Sequence, residues 1–348
     1  MKKMMAVYDE DPFYAERLSD YVNRKEKGIF KAQAFTSRER LEEYAKGNEV
    51  DVLLTGIPAE AFQNSALRSV QKIYLTEERC EKSGFGDVHE ESFYNQKEVY
   101  KYQSGDDIIR EVMAVYCELP EVKAVLPGLA SREKRIIGVY SPVGRCGKTS
   151  LSLSIGQVLA KEEKVIFITL DTFSGFSQIL DEQWKRDMSD LLYYYKQGRF
   201  HGLRLNPITY YLGDMAWLPP LRYPDDYSQV TAEEMADFLV QILNESVYET
   251  IVLDIGNYDR QVLPILEKCQ VVYMPVKEDM ISQAKLKEFE KYADRFGSRE
   301  LKEKFHKIHV PMMTGTKRME HFPQELLWGD MGDFVRGLLK GQRHLWEN

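Results

Sequence analysis

RIIGVYSPVGRCGKTS, residues Arg135–Ser150, decides how the rest of the chain is read. Ile136 to Tyr140 is an apolar run that predicts a buried strand. It leads into a turn carrying Pro142, Gly144 and Gly147, then Lys148 and Thr149, then a helical run predicted over Ser150–Lys161. Strand, glycine-bearing loop, Gly-Lys-Thr and helix is the context in which backbone N–H groups and a helix N-terminus converge on a phosphate. Lys148 would add a charge at the outer phosphates, and the Thr149 hydroxyl would hold a magnesium ion, a hard cation that prefers oxygen. Pro142 stands where such loops usually carry their leading glycine. A lysine at a helix N-terminus is electrostatically unfavourable unless an anion is near. Together with the Gly-x-x-Gly-Lys-Thr spacing, this predicts nucleotide binding over an ordinary strand–turn–helix with a solvated lysine.

Downstream, Val165–Thr169 reads as a buried strand ending in Leu170-Asp171, and Tyr248–Leu253 as another ending in Asp254. A carboxylate at the end of an apolar strand below a phosphate loop suits a second magnesium-organising group better than a turn or cap aspartate. Val271–Val276 and Ile308–Met312 read as further strands, the last closing the sheet. Helices are predicted over Met188–Gln197, Ala232–Glu245 and residues 277–296, with Tyr193–Tyr195 as packing side chains and Ala216–Tyr223 as a proline-stiffened connection. Met331–Trp346 reads as an amphipathic helix, with Phe334, Val335, Leu338, Leu339 and Leu345 set against Arg336, Lys340 and Arg343. A domain-closing helix is the preferred reading, a membrane-surface helix the alternative.

At 348 residues and 43% hydrophobic, the chain is too long for one typical core. Leu119–Lys134 has linker composition, so the predicted domains are 1–118 and 135–348 with 119–134 between them. The net charge of −8 and the lack of a lysine/arginine block argue against a nucleic-acid partner. Four cysteines without metal spacing predict reduced thiols, Cys146 turning its side chain away from the phosphates while its backbone binds them. MKKMMAVYDEDP meets acid too early for a secretory leader, and no apolar run is long enough to span a bilayer; the expectation is a cytoplasmic protein.

The first third alternates strands and helices: strands at Met4–Tyr8, Phe30–Phe35, Asp51–Leu54, Val70–Leu75 and Val99–Tyr102, and helices after Pro12, after a Ser37 cap and from Asp106 to Tyr116. Glu78–Lys97 reads as a charged loop. That order predicts a parallel sheet covered on both faces. With Asp9, Glu10 and Asp11 after the first strand, Thr76 at the end of the fourth and Lys101 after the fifth, the region resembles a response-regulator receiver domain of CheY-like fold. A receiver accepts phosphate on an aspartate at the end of its third strand. Here Asp51 lies at that strand's start and Thr55-Gly56 at its end, so the domain is expected to work by protein contact.

From Arg135 onward the chain resembles the MinD/ParA class of phosphate-loop ATPases, of SIMIBI type, whose loop reads lysine-glycine-glycine-x-glycine-lysine-threonine. Lys148, Thr149, Gly144 and Gly147 match; Arg145 replaces the second glycine, and Val143 stands at the signature lysine that reaches a partner's nucleotide. The resemblance implies ATP on Gly144, Arg145, Cys146, Gly147, Lys148, Thr149 and Ser150, an adenine rim near Val310–Met313 including Pro311 and Met312, and magnesium on Thr149 and Asp254. Asp171 falls at the aspartate that orients the attacking water. A receiver-like domain without its acceptor, joined to such an ATPase, resembles the TadZ/CpaE family of pilus-assembly proteins. It implies two three-layer αβα domains, a homodimer through the ATPase domain, a place at the cell pole, and a role in positioning a Flp (Tad, type IVb) pilus secretion apparatus. Without a lysine at Val143, hydrolysis is expected to be weak or absent, since loss of a trans-acting cation can cost about 10³–10⁵ in rate. The alternative is a ParA-like DNA-partitioning or regulatory ATPase with receiver input.

Overall fold

A computed structural model describes residues 2–25, 28–62, 67, 70–77, 98–118, 134–180, 184–256, 262–311 and 322–342. The predicted loop 78–97, the linker up to residue 133 and Met312 lie outside them. Two compact units fall within Met1–Lys123 and Ala124–Asn348.

The first unit runs β1 (Lys3–Tyr8), α1 (Pro12–Arg24), β2 (Phe30–Phe35), α2 (Arg38–Gly47), β3 (Val52–Thr55), β4 (Gln71–Thr76), β5 (Glu98–Tyr100) and α3 (Gly105–Tyr116). All pairings are parallel, in the order β2-β1-β3-β4-β5, the flavodoxin-like doubly wound order. The helices start where the sequence supplies caps: Asp11 accepts from Phe13 N–H ahead of Pro12, Ser37 from Arg40 N–H, and Ser104 from Asp107 N–H. β3 is buried along its whole length, as a central parallel strand requires. Asp51 sits just before β3, where it accepts from Met4 N–H at 2.7 Å and pairs with Lys3 at 2.9 Å. That is the end of a parallel sheet opposite to Asp9.

The second unit contains β6 (Arg135–Val139), α4 (Lys148–Leu159), β7 (Val165–Thr169), α5 (Phe176–Ile179), α6 (Met188–Lys196), β8 (Tyr210–Leu212), β9 (Met215–Trp217), α7 (Ala232–Glu245), β10 (Thr250–Asp254), α8 (Leu263–Lys268), β11 (Val271–Pro275), α9 (Met280–Phe296), β12 (Phe305–Ile308), α10 (Phe322–Trp328) and α11 (Asp330–Gln342). Its sheet has the order β12-β11-β6-β10-β7-β9-β8, parallel except for the β8–β9 hairpin. Alternation divides the core: Ile136, Ile166 and Ile251 pack beneath α6–α9, while Ile137, Phe167 and Val252 face α4, α10 and α11.

Two expectations are corrected, and a third, the domain-closing helix, agrees with the structure. The closing strand spans Phe305–Ile308 rather than Ile308–Met312, because its register with β11 stops at Pro275↔Ile308; the apolar Val310-Pro311 that suggested a longer strand lies beyond that register. Ala216–Tyr223 is a connection only in part, since Met215–Trp217 adds a strand beside β7 and turns through Gly213, at φ 61°, into β8. The C-terminal helix spans Asp330–Gln342 and closes the domain by packing on α4 through Met331, Val335 and Leu339. α4 is therefore covered by the sheet on one side and by α10 and α11 on the other, and Ser154 Oγ donates to Leu326 O at 3.1 Å. This cover on two sides buries Leu151, Leu153 and Ile155 and the small Ser152 and Ser154 alike. Among the described residues, no helix is long and apolar enough to cross a membrane.

Candidate functional site

β6 lies inside the sheet and delivers the Ser141–Gly147 loop to its C-terminal edge. Val143 N–H donates to Ser141 Oγ at 3.2 Å and tightens the turn. Arg145 (φ 53°) and Gly147 (φ 86°) are both left-handed and flank Cys146. Alternating handedness turns successive N–H groups to one side, the geometry of a backbone anion nest. α4 begins at Lys148, two residues earlier than its sequence pattern suggests, with Gly147 as its N-cap and no side chain capping it. Its first N–H groups are thus left to an anion or water. Lys148 is buried, its ammonium donating to Val143 O at 3.2 Å and Ser141 O at 3.5 Å, so it folds back over its own loop. The Cys146 thiol points inward and donates to Val143 O at 3.1 Å.

Asp254 closes β10, between β6 and β7, with 0% exposure. Its Oδ2 accepts from Thr169 Oγ1 at 3.3 Å, while its Oδ1 has no hydrogen-bond partner among the described residues. Burial pushes the carboxyl up to about 6; the Thr149 hydroxyl opposes the rise, the Asp171 charge adds to it, and Lys148 and Thr169 oppose it. Thr149 therefore lies close enough to act on Asp254 without satisfying Oδ1. Asp171 N–H donates to Thr169 Oγ1 at 3.1 Å, tying the loop after β7 to the same cluster. Gly256, at φ 57°, lets the loop after β10 close on it: a Cβ there would fall 2.5 Å from Asp171 Cβ.

A buried, orphaned carboxylate oxygen beside a threonine hydroxyl fits a hard divalent cation. Thr149 and Asp254 would hold magnesium, which when bound would neutralise phosphate charge. Among the described residues no group of three or more His, Cys, Asp or Glu could hold a metal. Such an ion would rely on phosphate oxygens and water, as magnesium commonly does.

The residues read from sequence therefore converge at one sheet edge: Gly144 and Arg145 exposed, Cys146 and Lys148 buried, Gly147, Thr149, Ser150 and Asp171 half-buried, and Asp254 beneath them. Val143 is buried. A Cβ on Gly147 would lie 3.3 Å from Val310 Cγ1, which brings the segment after β12, with half-buried Pro311, against the loop. Thr169 and Gly256 were not singled out from sequence. Their signals are a threonine two residues before Asp171 and a glycine two after Asp254, visible only once those aspartates are placed.

The first unit has a cleft of about 660 Å³ at the corresponding edge, lined by Asp9, Glu10, Asp11, Gly56, Glu77 and Lys101 among others. Lys101 Nζ lies 2.9 Å from Asp9 Oδ2 and 4.6 Å from the centre of the Tyr14 ring. Thr55, where a receiver has its acceptor, is buried, and its hydroxyl donates to Ile57 O at 2.9 Å.

A central strand, an anion nest, an uncapped helix start and a buried carboxylate give the second unit the geometry of an α/β fold with a phosphate-loop type of turn. Solved structures similar to the chain include a ParA family ATPase from Chlorobium tepidum (14% identity, 56% of this chain and 81% of that one, TM-score 0.45). A plasmid partition protein from Borrelia burgdorferi bound to AMPPNP is similar at 17% identity over 56% and 81% of the two chains, TM-score 0.43. The MinC:MinD cell division complex of Aquifex aeolicus is similar at 18% over 59% and 78%, TM-score 0.40. All three scores lie under 0.5, and the assignment of the loop rests on its own geometry. No protein-family model matches the chain, and no curated protein does.

Proposed function

We propose that the chain is an ATP- and magnesium-binding positioning factor of MinD/ParA type, and more narrowly a TadZ/CpaE-like protein that helps place a Flp pilus secretion apparatus. One observation carries the nucleotide part: the unsatisfied Oδ1 of Asp254, fully buried beside Thr149 at the foot of an anion nest. A buried carboxylate left in that state is costly unless a ligand completes it. ATP would lie on Gly144–Ser150, with its adenine toward Val310-Pro311 and Asp171 near the outer phosphate. The pilus role is supported by organisation: a five-stranded receiver-like unit whose acceptor position holds Thr55, followed by an ATP-binding unit with an irregular loop. A homodimer is supported by exposed apolar side chains at the nucleotide edge, with Phe173 82% exposed after β7 and Met280 85% exposed after β11. Buried Val143 supplies no cation to a partner's nucleotide, so turnover is slow.

Calorimetry with ATP and magnesium tests the core of the reading. Wild-type protein binds, and Lys148→Ala binds at least about 100-fold more weakly, because a charge-assisted phosphate contact is lost. An intact fold that gives no heat at millimolar ATP-magnesium would falsify it. Turnover of many per minute, abolished by the same substitution, would overturn slow hydrolysis. Salt-sensitive binding to nonspecific duplex DNA would favour a partitioning role instead.

A further inference from the structure

Arg145 is the only non-glycine with positive φ among the described residues. An L-residue there carries a steric cost that glycine would avoid. Its guanidinium is exposed and makes no hydrogen bond, ion pair or ring contact with any other described residue. It therefore gains nothing from the fold that would offset its backbone. Val143 beside it is apolar and buried, so the loop's other cation is Lys148, whose ammonium folds back onto the carbonyls of Ser141 and Val143. A strained residue that persists without local contacts at the mouth of an anion nest is explained by a ligand that arrives there. The orphaned, fully buried Asp254 Oδ1 below the same loop points independently to a ligand at this place.

We propose that Arg145 is a second phosphate-binding cation, acting on the nucleotide held in its own loop. The assignment rests on the nucleotide-binding reading above and deepens it. Arginine suits the task because its planar fork can meet two phosphate oxygens together, from a backbone that the left-handed turn fixes. Selection of ligand and stability of the empty protein then pull in opposite directions at this one residue.

The full chain is compared with Arg145→Gly, Arg145→Lys and Lys148→Ala by thermal melting without nucleotide and by calorimetry with ATP-magnesium. Arg145→Gly melts about 2–4 °C higher when empty, since the steric cost is relieved, yet binds ATP-magnesium about tenfold more weakly. Arg145→Lys keeps part of the affinity and none of the gain in melting temperature. The loss of affinity in Arg145→Gly relative to wild type is the same at low and high protein concentration, because the contact lies within one chain; a loss seen only at concentrations where the protein dimerises would overturn that placement. If Arg145→Gly binds as tightly as wild type while Lys148→Ala does not bind, the arginine assignment falls and the nucleotide reading stands. If wild type itself fails to bind, both fall.

Discussion

Asp9 and Asp254 occupy equivalent places in two unrelated sheets: each is a buried carboxylate at the C-terminal edge of a parallel strand. They differ in where their counter-charge comes from. Asp9 is neutralised by its own chain, with Lys101 at 2.9 Å and Asp11 N–H donating to its Oδ1 at 2.9 Å. Asp254 has hydroxyls from Thr169 and Thr149 acting on it but, among the described residues, no ion pair and no hydrogen-bond partner for Oδ1. A strand-end carboxylate in a doubly wound sheet thus marks a position where ligands bind in such folds. Whether a ligand is needed there depends on what the chain already supplies. The first unit has closed its site with a lysine, and the second has left one open.

The largest effect expected from this contrast follows removal of the internal counter-charge. Burial pulls the Lys101 pKa down, but the hydrogen bond and charge of Asp9 outweigh it and leave the value raised. Lys101→Met leaves Asp9 buried and unpaired, which costs about 3–5 kcal/mol. Hydrogen exchange of the β1 and β3 amides would accelerate accordingly, and Asp9→Asn combined with Lys101→Met would recover most of the loss. Unchanged exchange in the single variant would show that solvent reaches Asp9 and that the first site is as open as the second.

Asp254→Asn should do the reverse. The folded-state value near 6 lies above the ordinary carboxylate range, so folding favours the protonated form. The contribution of this group is fully present below about pH 4 and is lost as pH rises through about 6. With chelator and no nucleotide, the substitution stabilises the second unit at pH 7.5 by about 2–3 kcal/mol and leaves it nearly unchanged at pH 4. Tryptophan fluorescence follows this unit selectively, because all four tryptophans lie after Arg135. A variant as unstable as wild type at pH 7.5 would mean that the carboxylate is satisfied without a ligand.

Much of this was legible in the sequence because the signals are local. Gly144–Thr149 reports its own turn, and the β-branched runs Ile136–Val139 and Val165–Thr169 can be little else than buried strands. The β8–β9 hairpin was not legible: its strands are three residues each, and Leu218-Pro219-Pro220 masks the end of β9. The closing strand was misplaced because an edge strand is set by its partner's register rather than by its own hydrophobicity. The open state of Asp254 could not be read at all. It depends on three loops that meet in space, including the close approach of Gly256 to Asp171, and no spacing along the chain encodes that.

The smallest expected effect isolates the hydroxyls that flank the two carboxylates. Thr55 ends β3 and Thr169 ends β7; both are fully buried, and each accepts an N–H from two residues on, Ile57 and Asp171, at 3.1 Å. The Thr55 hydroxyl donates back into the same turn, to Ile57 O, whereas that of Thr169 donates to Asp254 Oδ2. Valine at either position removes the acceptor of a half-buried loop N–H and should cost about 1 kcal/mol. Only Thr169→Val also removes a group that holds the Asp254 value down, so the pH at which the second unit loses stability should move upward in that variant. Thr55→Val should lower the stability of the first unit by a similar amount without changing its pH profile, because its hydroxyl is spent on the turn and the Asp9 charge is met by Lys101. Equal pH responses in the two variants would erase the distinction between a threonine that shapes a loop and one that also tunes a site.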